Sequence, residues 1–368
     1  MLRHFSPLVI LAFVLSGCVP LRAVFYARPD GNDIHRFPSS RIAAGETCFT
    51  FARDTSGLGQ RIRVNEWGSG TPYFVTLNGF MEKHRVRSLV VIRNDTVLFE
   101  GYGQGKSATD VHASYSVAKS FVSALVGIAI AEGRLGGIND RVIDHLPELQ
   151  GIAQAEHLRI SHLLNMTSGI RHMLRHDAQL YYGNDVTRTL RTVEFAHRPG
   201  TFQEYLNINV QLLGLILERA TGMSPASYLS QRIWQPLGMC SDALWTTDRK
   251  GHDLTFCCMG ATALDYAKFG RLYLNMGRWD GMQIVPEEWV RSSVARDTTE
   301  GSSFNYNRLW HLGDAAYGDF MADGMFKQHI YVDPSKRIII VSMCDRENAL
   351  NAERTMWRNV FHQVVDQL

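Results

Sequence analysis

Ser116 and Lys119 stand three residues apart in Ser116-Val117-Ala118-Lys119-Ser120, at the head of an otherwise apolar run that ends at Gly133. One helical turn puts residues at this spacing on the same face, so the lysine amine can reach the proton of the serine hydroxyl. A helix start adds a positive dipole end, which favours an oxyanion and disfavours an ammonium. A lysine buried there is expected to lose its charge near neutral pH and act as a base, because desolvation penalises the charged form. An interior lysine in an apolar helix needs a reason, and activation of Ser116 supplies one. Downstream, Pro199-Gly200-Thr201 leads to Tyr205-Leu206-Asn207 and a second helical run. A phenol beside a lysine can carry a proton, and an amide two residues on can hold the lysine and a substrate carbonyl.

These groups need a frame. Ser88 to Arg93 and Val97 to Tyr102 are β-rich runs split by the turn-forming pair Asn94-Asp95, which predicts an antiparallel hairpin ahead of a helix from Ser116 to Glu132. From there to about Trp289 the signals are helical with loops. Strands are expected to return only at His329 to Val332 and Arg337 to Cys344, before a closing helix from about Leu350 to Val365. Strands near both ends with helices between them predict an α+β fold: an antiparallel sheet formed by both chain ends, flanked by helices, with a mostly helical insertion at about 134–300.

The residues resemble the serine β-lactamase and penicillin-binding-protein superfamily. Within it they are most similar to class C-like esterases, D-alanyl-D-alanine peptidases and 6-aminohexanoate-dimer (nylon oligomer) hydrolases, the last branch in particular. The resemblance runs from Ser88 to the end, through S-Y-S-V-A-K-S-F (Ser114 to Phe121), H-L-L-N-M-T-S-G (His162 to Gly169), Pro199 to Gly222, F-C-C (Phe256 to Cys258) and I-Y-V-D-P (Ile330 to Pro334). S-x-x-K is a signature of this chemistry. The resemblance implies a β-lactamase/transpeptidase-like fold and an acyl-enzyme reaction without cofactor or metal. It makes Ser116 the nucleophile, Lys119 its proton acceptor, Tyr205 the acid/base for the leaving group and Asn207 a positioning residue. The implied activity is hydrolysis of an ester or linear amide. A β-lactamase or D-alanyl-D-alanine peptidase is the alternative, and a non-catalytic binding protein on the same fold is the second.

The third family motif, K-T-G or H-T-G, has no literal match. The alignable stretch is Gly324-Met325-Phe326-Lys327-Gln328. Lys327 is the expected contributor there, its backbone N–H pairing with that of Ser116 as an oxyanion hole and its ammonium meeting a substrate carboxylate. The segment Arg171 to His197 carries Tyr181 and Tyr182 and reads as a lid whose tyrosines position substrate. His172, His176 and Asp177 have a spacing that could chelate a metal on a helix, but no H-E-x-x-H accompanies them, so they read as polar loop residues.

The 368 residues, 45% hydrophobic and 20% charged with a formal net charge of +2, describe a globular chain. The near-balanced charge, with no Lys/Arg run interleaved with aromatics, argues against a nucleic-acid partner. Arg3 and His4 precede an apolar run from Leu8 to Leu15, too short to span a bilayer, and Leu15-Ser16-Gly17-Cys18 resembles a bacterial lipoprotein box. Residues 1–17 are therefore expected to be a signal peptide and Cys18 the lipidated first residue of an exported, membrane-anchored protein. Residues 18–72 read as a tether and wrap, and 73–368 as the catalytic domain. The other five cysteines (Cys48, Cys240, Cys257, Cys258 and Cys344) read as core with at most one bridge.

Overall fold

Val86–Arg93 and Thr96–Tyr102 pair antiparallel with Arg93 opposite Thr96. Asn94 and Asp95 both take positive φ (49° and 60°), the conformation of a two-residue turn whose twist matches the strands. Ile338–Cys344 is buried at every position because it lies mid-sheet with both faces covered. The structure is a computed structural model that describes residues 29–31, 33–54, 57–65, 74–344 and 354–368, with Val19 and Arg22. The expected signal segment and Cys18 lie outside the described residues.

The elements that frame the site are, in chain order, β1 (Ser39–Ile42), β2 (Ala52–Arg53), β3 (Val86–Arg93), β4 (Thr96–Tyr102), β5 (His112–Ala113), α1 (Ala118–Ala131), α2 (Leu174–Tyr182) and α3 (Asn207–Thr221). They continue with β6 (Ala243–Thr246), β7 (Met259–Ala261), α4 (Ala263–Leu274), β8 (Tyr306–Asn307), β9 (Trp310–Leu312), β10 (Phe320–Gly324), β11 (Gln328–Asp333), β12 (Ile338–Cys344) and α5 (Arg354–Asp366). An eight-stranded sheet has the order β8-β9-β10-β11-β12-β3-β4-β2. Its pairings are antiparallel except that β2 runs parallel to β4. A smaller sheet has the order β1-β6-β7-β5. One core fills the space between the large sheet and α1, α3 and α4. A second, with Trp357, Phe361 and Val364, lies under α5 on the opposite face.

Residues 118–129 of α1 are all buried. Gly127 is where a Trp289 ring presses on this helix, and a Cβ there would come within 2.4 Å of the ring. α3 ends at Gly222, whose φ of 71° allows its amide to cap the Glu218 carbonyl.

Four sequence expectations change. Ser116 belongs to a 3-10 turn, Tyr115–Val117, and the α-helix starts at Ala118. Tyr115 at φ 44° redirects the chain just before Ser116. Strands β6 to β10 occupy a stretch read as helix and loop, because two to five residues are too few to show a period of two. Residues 39–42 and 52–53, read as part of a tether and wrap with no strands of its own, supply strands to both sheets. Two bridges form, Cys48 to Cys240 and the neighbouring pair Cys257 to Cys258, where at most one was expected, and Cys344 is free and buried. Folding brings together cysteines 192 residues apart, which spacing cannot reveal.

Candidate active site

The turn that carries Ser116 is clamped by β7. The Ser114 amide donates to the Met259 carbonyl at 2.7 Å, and the Met259 amide returns a bond to Ser114 Oγ at 3.1 Å. The first turn of α1 then carries Lys119 into the interior, where it is 1% exposed. Its Nζ lies 2.8 Å from Ser116 Oγ, 3.1 Å from Asn207 Oδ1 and 2.5 Å from the Phe256 carbonyl oxygen.

Burial pushes the Lys119 pKa down from 10.5 to about 7, and the negative charge of Asp177 opposes that shift. A neutral amine has two N–H groups and one lone pair. Asn207 Oδ1 and the Phe256 carbonyl accept the two hydrogens, which leaves the lone pair for the Ser116 hydroxyl. The arrangement therefore suits a base that takes the serine proton and becomes an ammonium with three acceptors already in place.

Asn207, at the start of α3, is fixed from its other side: its Nδ2 donates to Asp177 Oδ1 at 3.1 Å. Asp177 also lies 3.0 Å from His172 Nε2 through its second oxygen. His176 turns to Thr192 instead, so the three do not converge as metal ligands. Among the described residues a different trio, Asp185, Asp248 and His252, has close ligand atoms, but both Asp248 oxygens already accept backbone amides.

Tyr205 stands over the lysine, with Nζ 5.1 Å from its ring centroid. The ring is 40% exposed and borders a cleft of about 580 Å³ whose walls include Gln203, Tyr306, His311 and Arg358. Another cleft, of about 450 Å³, contains none of Ser116, Lys119 and Tyr205.

The structure places Lys327 differently from the expectation. It follows β10 in a tight turn where Phe326 and Lys327 both have positive φ (63° and 67°). Its ammonium sits 5.5 Å above the Trp357 ring, among the residues under α5, and burial lowers its pKa. It is therefore turned away from Ser116, and a substrate carboxylate does not meet it there. Gly324, at the end of β10, is the strand residue against the turn that carries Ser116. A Cβ on it would lie 2.5 Å from the Ser114 carbonyl oxygen and 3.1 Å from the Ser116 nitrogen, so only glycine allows this approach. The backbone at the end of β10 thus comes close beside the Ser116 amide.

Tyr181 and Tyr182 also differ from the expectation that they position substrate. The Tyr181 hydroxyl donates to Asp33 Oδ2 at 2.8 Å, and its ring meets Phe37 and Tyr182. Tyr182 is 7% exposed. The pair fastens α2 to the N-terminal segment. Sequence reasoning missed Asp177 as a partner of Asn207, the Phe256 carbonyl and Gly324. The Gly324 signal was present in G-M-F-K-Q, whereas a backbone carbonyl leaves no trace in residue type.

The family model described as Beta-lactamase matches residues 76–364, and the chain belongs to that family. The 6-aminohexanoate-dimer hydrolase of Paenarthrobacter ureafaciens is 28% identical over 289 residues, covering 72% of this chain and 73% of that enzyme. The solved structure "Putative 6-aminohexanoate-dimer hydrolase from Bacillus anthracis" superposes with a TM-score of 0.80 at 21% identity, covering 90% of this chain and 91% of the other. EstCE1, a hydrolase with promiscuous acyltransferase activity, superposes with a TM-score of 0.59 at 16% identity, covering 72% of this chain and 90% of the other. The two superpositions establish the fold expected from the motifs. The chain is a β-lactamase-fold hydrolase related to 6-aminohexanoate-dimer hydrolase.

Proposed function

We propose that this hydrolase works through an acyl-serine on esters or linear amides, with Ser116 as nucleophile, Lys119 as base, Tyr205 as proton donor to the leaving group and Asn207 as positioning residue. The observation that carries the reading is the buried Lys119 amine, 2.8 Å from Ser116 Oγ with its two other contacts both acceptors. Lys119 takes the hydroxyl proton as Oγ attacks the carbonyl carbon. The resulting oxyanion is held by the Ser116 amide and the Gly324-Met325 peptide. Tyr205 protonates the departing alcohol or amine, its proton replaced from the Lys119 ammonium, and the C–O or C–N bond breaks. Water then attacks the acyl-serine, with the same groups working in reverse, and releases the acid.

The ranking of linear amides above β-lactams is supported by the hydrolase of Paenarthrobacter ureafaciens, named for a 6-aminohexanoate dimer. The sequence Leu15 to Cys18 supports an exported protein held at a membrane by lipid on Cys18. A fluorophosphonate probe with peptide mapping tests the chemistry. The adduct is expected on Ser116 and is expected to vanish in Ser116→Ala. No adduct, or one on another residue, overturns the reading.

A further inference from the structure

Both members of the proposed catalytic pair are held by one short stretch of chain. At its start, the Phe256 carbonyl accepts from Lys119 Nζ at 2.5 Å. At its end, the Met259 carbonyl accepts the Ser114 amide and the Met259 amide donates to Ser114 Oγ, two residues before Ser116. Only Cys257 and Cys258 lie between these anchors, and their sulfurs are bonded to each other. The Cys257 nitrogen shares a planar peptide with the Phe256 carbonyl, so any rotation of that peptide turns the acceptor that Lys119 uses.

The two cysteines are buried, and their backbone is bonded to β6 and to the preceding turn. The Cys257 amide donates to the Leu254 carbonyl at 3.1 Å, Trp245 Nε1 to the Cys257 carbonyl at 2.8 Å, and the Thr246 amide to the Cys258 carbonyl at 3.0 Å. Cys258 holds this path at φ 71°, a region that an L-residue avoids because its Cβ crowds the backbone. A side chain tied to the preceding residue restrains the backbone from leaving it. A bridge between sequence neighbours closes almost no loop, so it removes little freedom from the unfolded chain, in contrast to Cys48 and Cys240 across 192 residues. What it restricts is the local path from Phe256 to Met259.

We infer that the bridged pair Cys257 and Cys258 is a positioning unit for the catalytic pair: it holds the Phe256 carbonyl on Lys119 and Met259 on Ser114, so that base and nucleophile keep their register. The inference rests on the proposed roles of Ser116 and Lys119. When Lys119 takes the serine proton it becomes an ammonium, and the Phe256 carbonyl is one of the three oxygens that face it. An ammonium that loses this acceptor is harder to form, and the free base persists to lower pH. The other titratable groups around Lys119 are Tyr205, whose ring centroid is 5.1 Å from Nζ, and Asp177 beyond Asn207.

The test begins with non-reducing peptide mapping of alkylated wild type, in which Cys257 and Cys258 are expected to be bonded to each other; free thiols at both overturn the inference. Two double variants then separate the bridge from the backbone conformation it holds, with p-nitrophenyl butyrate as substrate. Cys257→Ala/Cys258→Ala is expected to lower kcat about 30-fold and to move the acid limb of kcat/KM down by about half a pH unit. Cys257→Ala/Cys258→Gly, in which glycine accepts positive φ without a bridge, is expected to recover to within about 3-fold of wild type with the limb restored. A double alanine variant as active as wild type, a loss that leaves the limb in place, or a glycine that rescues nothing overturns the inference. If the double alanine variant does not fold, Cys257→Ala/Cys258→Asn takes its place, since asparagine tolerates positive φ better than alanine and less well than glycine. Fluorophosphonate labelling separates the two levels. Label on Ser116 with no effect of the variants sinks the role of the bridge only, whereas failure of wild type to label Ser116 sinks the underlying reading.

Discussion

Replacing Lys119 by methionine is expected to destroy turnover and at the same time stabilise the protein. An ordinary lysine, at 10.5, is neutral in about one molecule in three thousand at pH 7, whereas at about 7 half the molecules carry the free base. Burial thus raises the supply of base by about a thousandfold, and the folded protein pays for it in stability. Below pH 7 lysine is charged in both folded and unfolded chains, and the whole gap between 10.5 and about 7, on the order of 5 kcal/mol, counts against folding. As pH rises from 7 to 10.5 the folded lysine is neutral while the unfolded one is still charged, so the penalty shrinks and then disappears. Lys119→Met removes it but leaves Asn207 Oδ1, the Phe256 carbonyl and Ser116 Oγ short of a donor, at about 1 kcal/mol each. The net gain at pH 6 is then about 2 kcal/mol. Urea unfolding at pH 6 and pH 10, with p-nitrophenyl butyrate turnover on the same samples, measures both effects. A Lys119→Met protein less stable than wild type at pH 6, or a gain that is the same at pH 10, would falsify the buried-base account, as would turnover above about 1% of wild type.

Asp177→Asn should shift the acid limb of kcat/KM to lower pH, because the carboxylate favours the Lys119 ammonium and its removal releases the base earlier. A limb that stays put or moves up contradicts the role of Asp177. Gly324→Ala should lower kcat about 100-fold with the fold retained by circular dichroism, since its Cβ would push β10 off the Ser114 and Ser116 backbone; near-normal kcat would remove this strand from the oxyanion site. Lys327→Met should alter KM for anionic and neutral esters equally, its ammonium being over Trp357, and a selective loss on anionic esters would return it to the cleft. Cys18→Ser should leave a protein that no longer partitions into detergent, and soluble wild-type protein with an unmodified N-terminus would rule out the anchor.

Local chemistry was legible in the sequence. Spacing along one turn determined that Ser116 and Lys119 meet, and Asn94-Asp95 determined the hairpin ahead of them. The Tyr205-Leu206-Asn207 motif also located a second contributor 88 residues away from the lysine, first from the chemistry of a phenol and an amide and then through resemblance. What residue type could not give was direction. Lys327 looked like a cleft cation, but positive φ at Phe326 and Lys327 sends it under α5, and Tyr181 looked like a substrate contact but is held by Asp33. Asp177 looked like a loop acid and instead holds Asn207. Each of these depends on chain segments distant in sequence packing at a particular angle. Only the tertiary structure decided them, because a side chain's partner is set by which backbone lies a few ångströms away and not by its own chemistry.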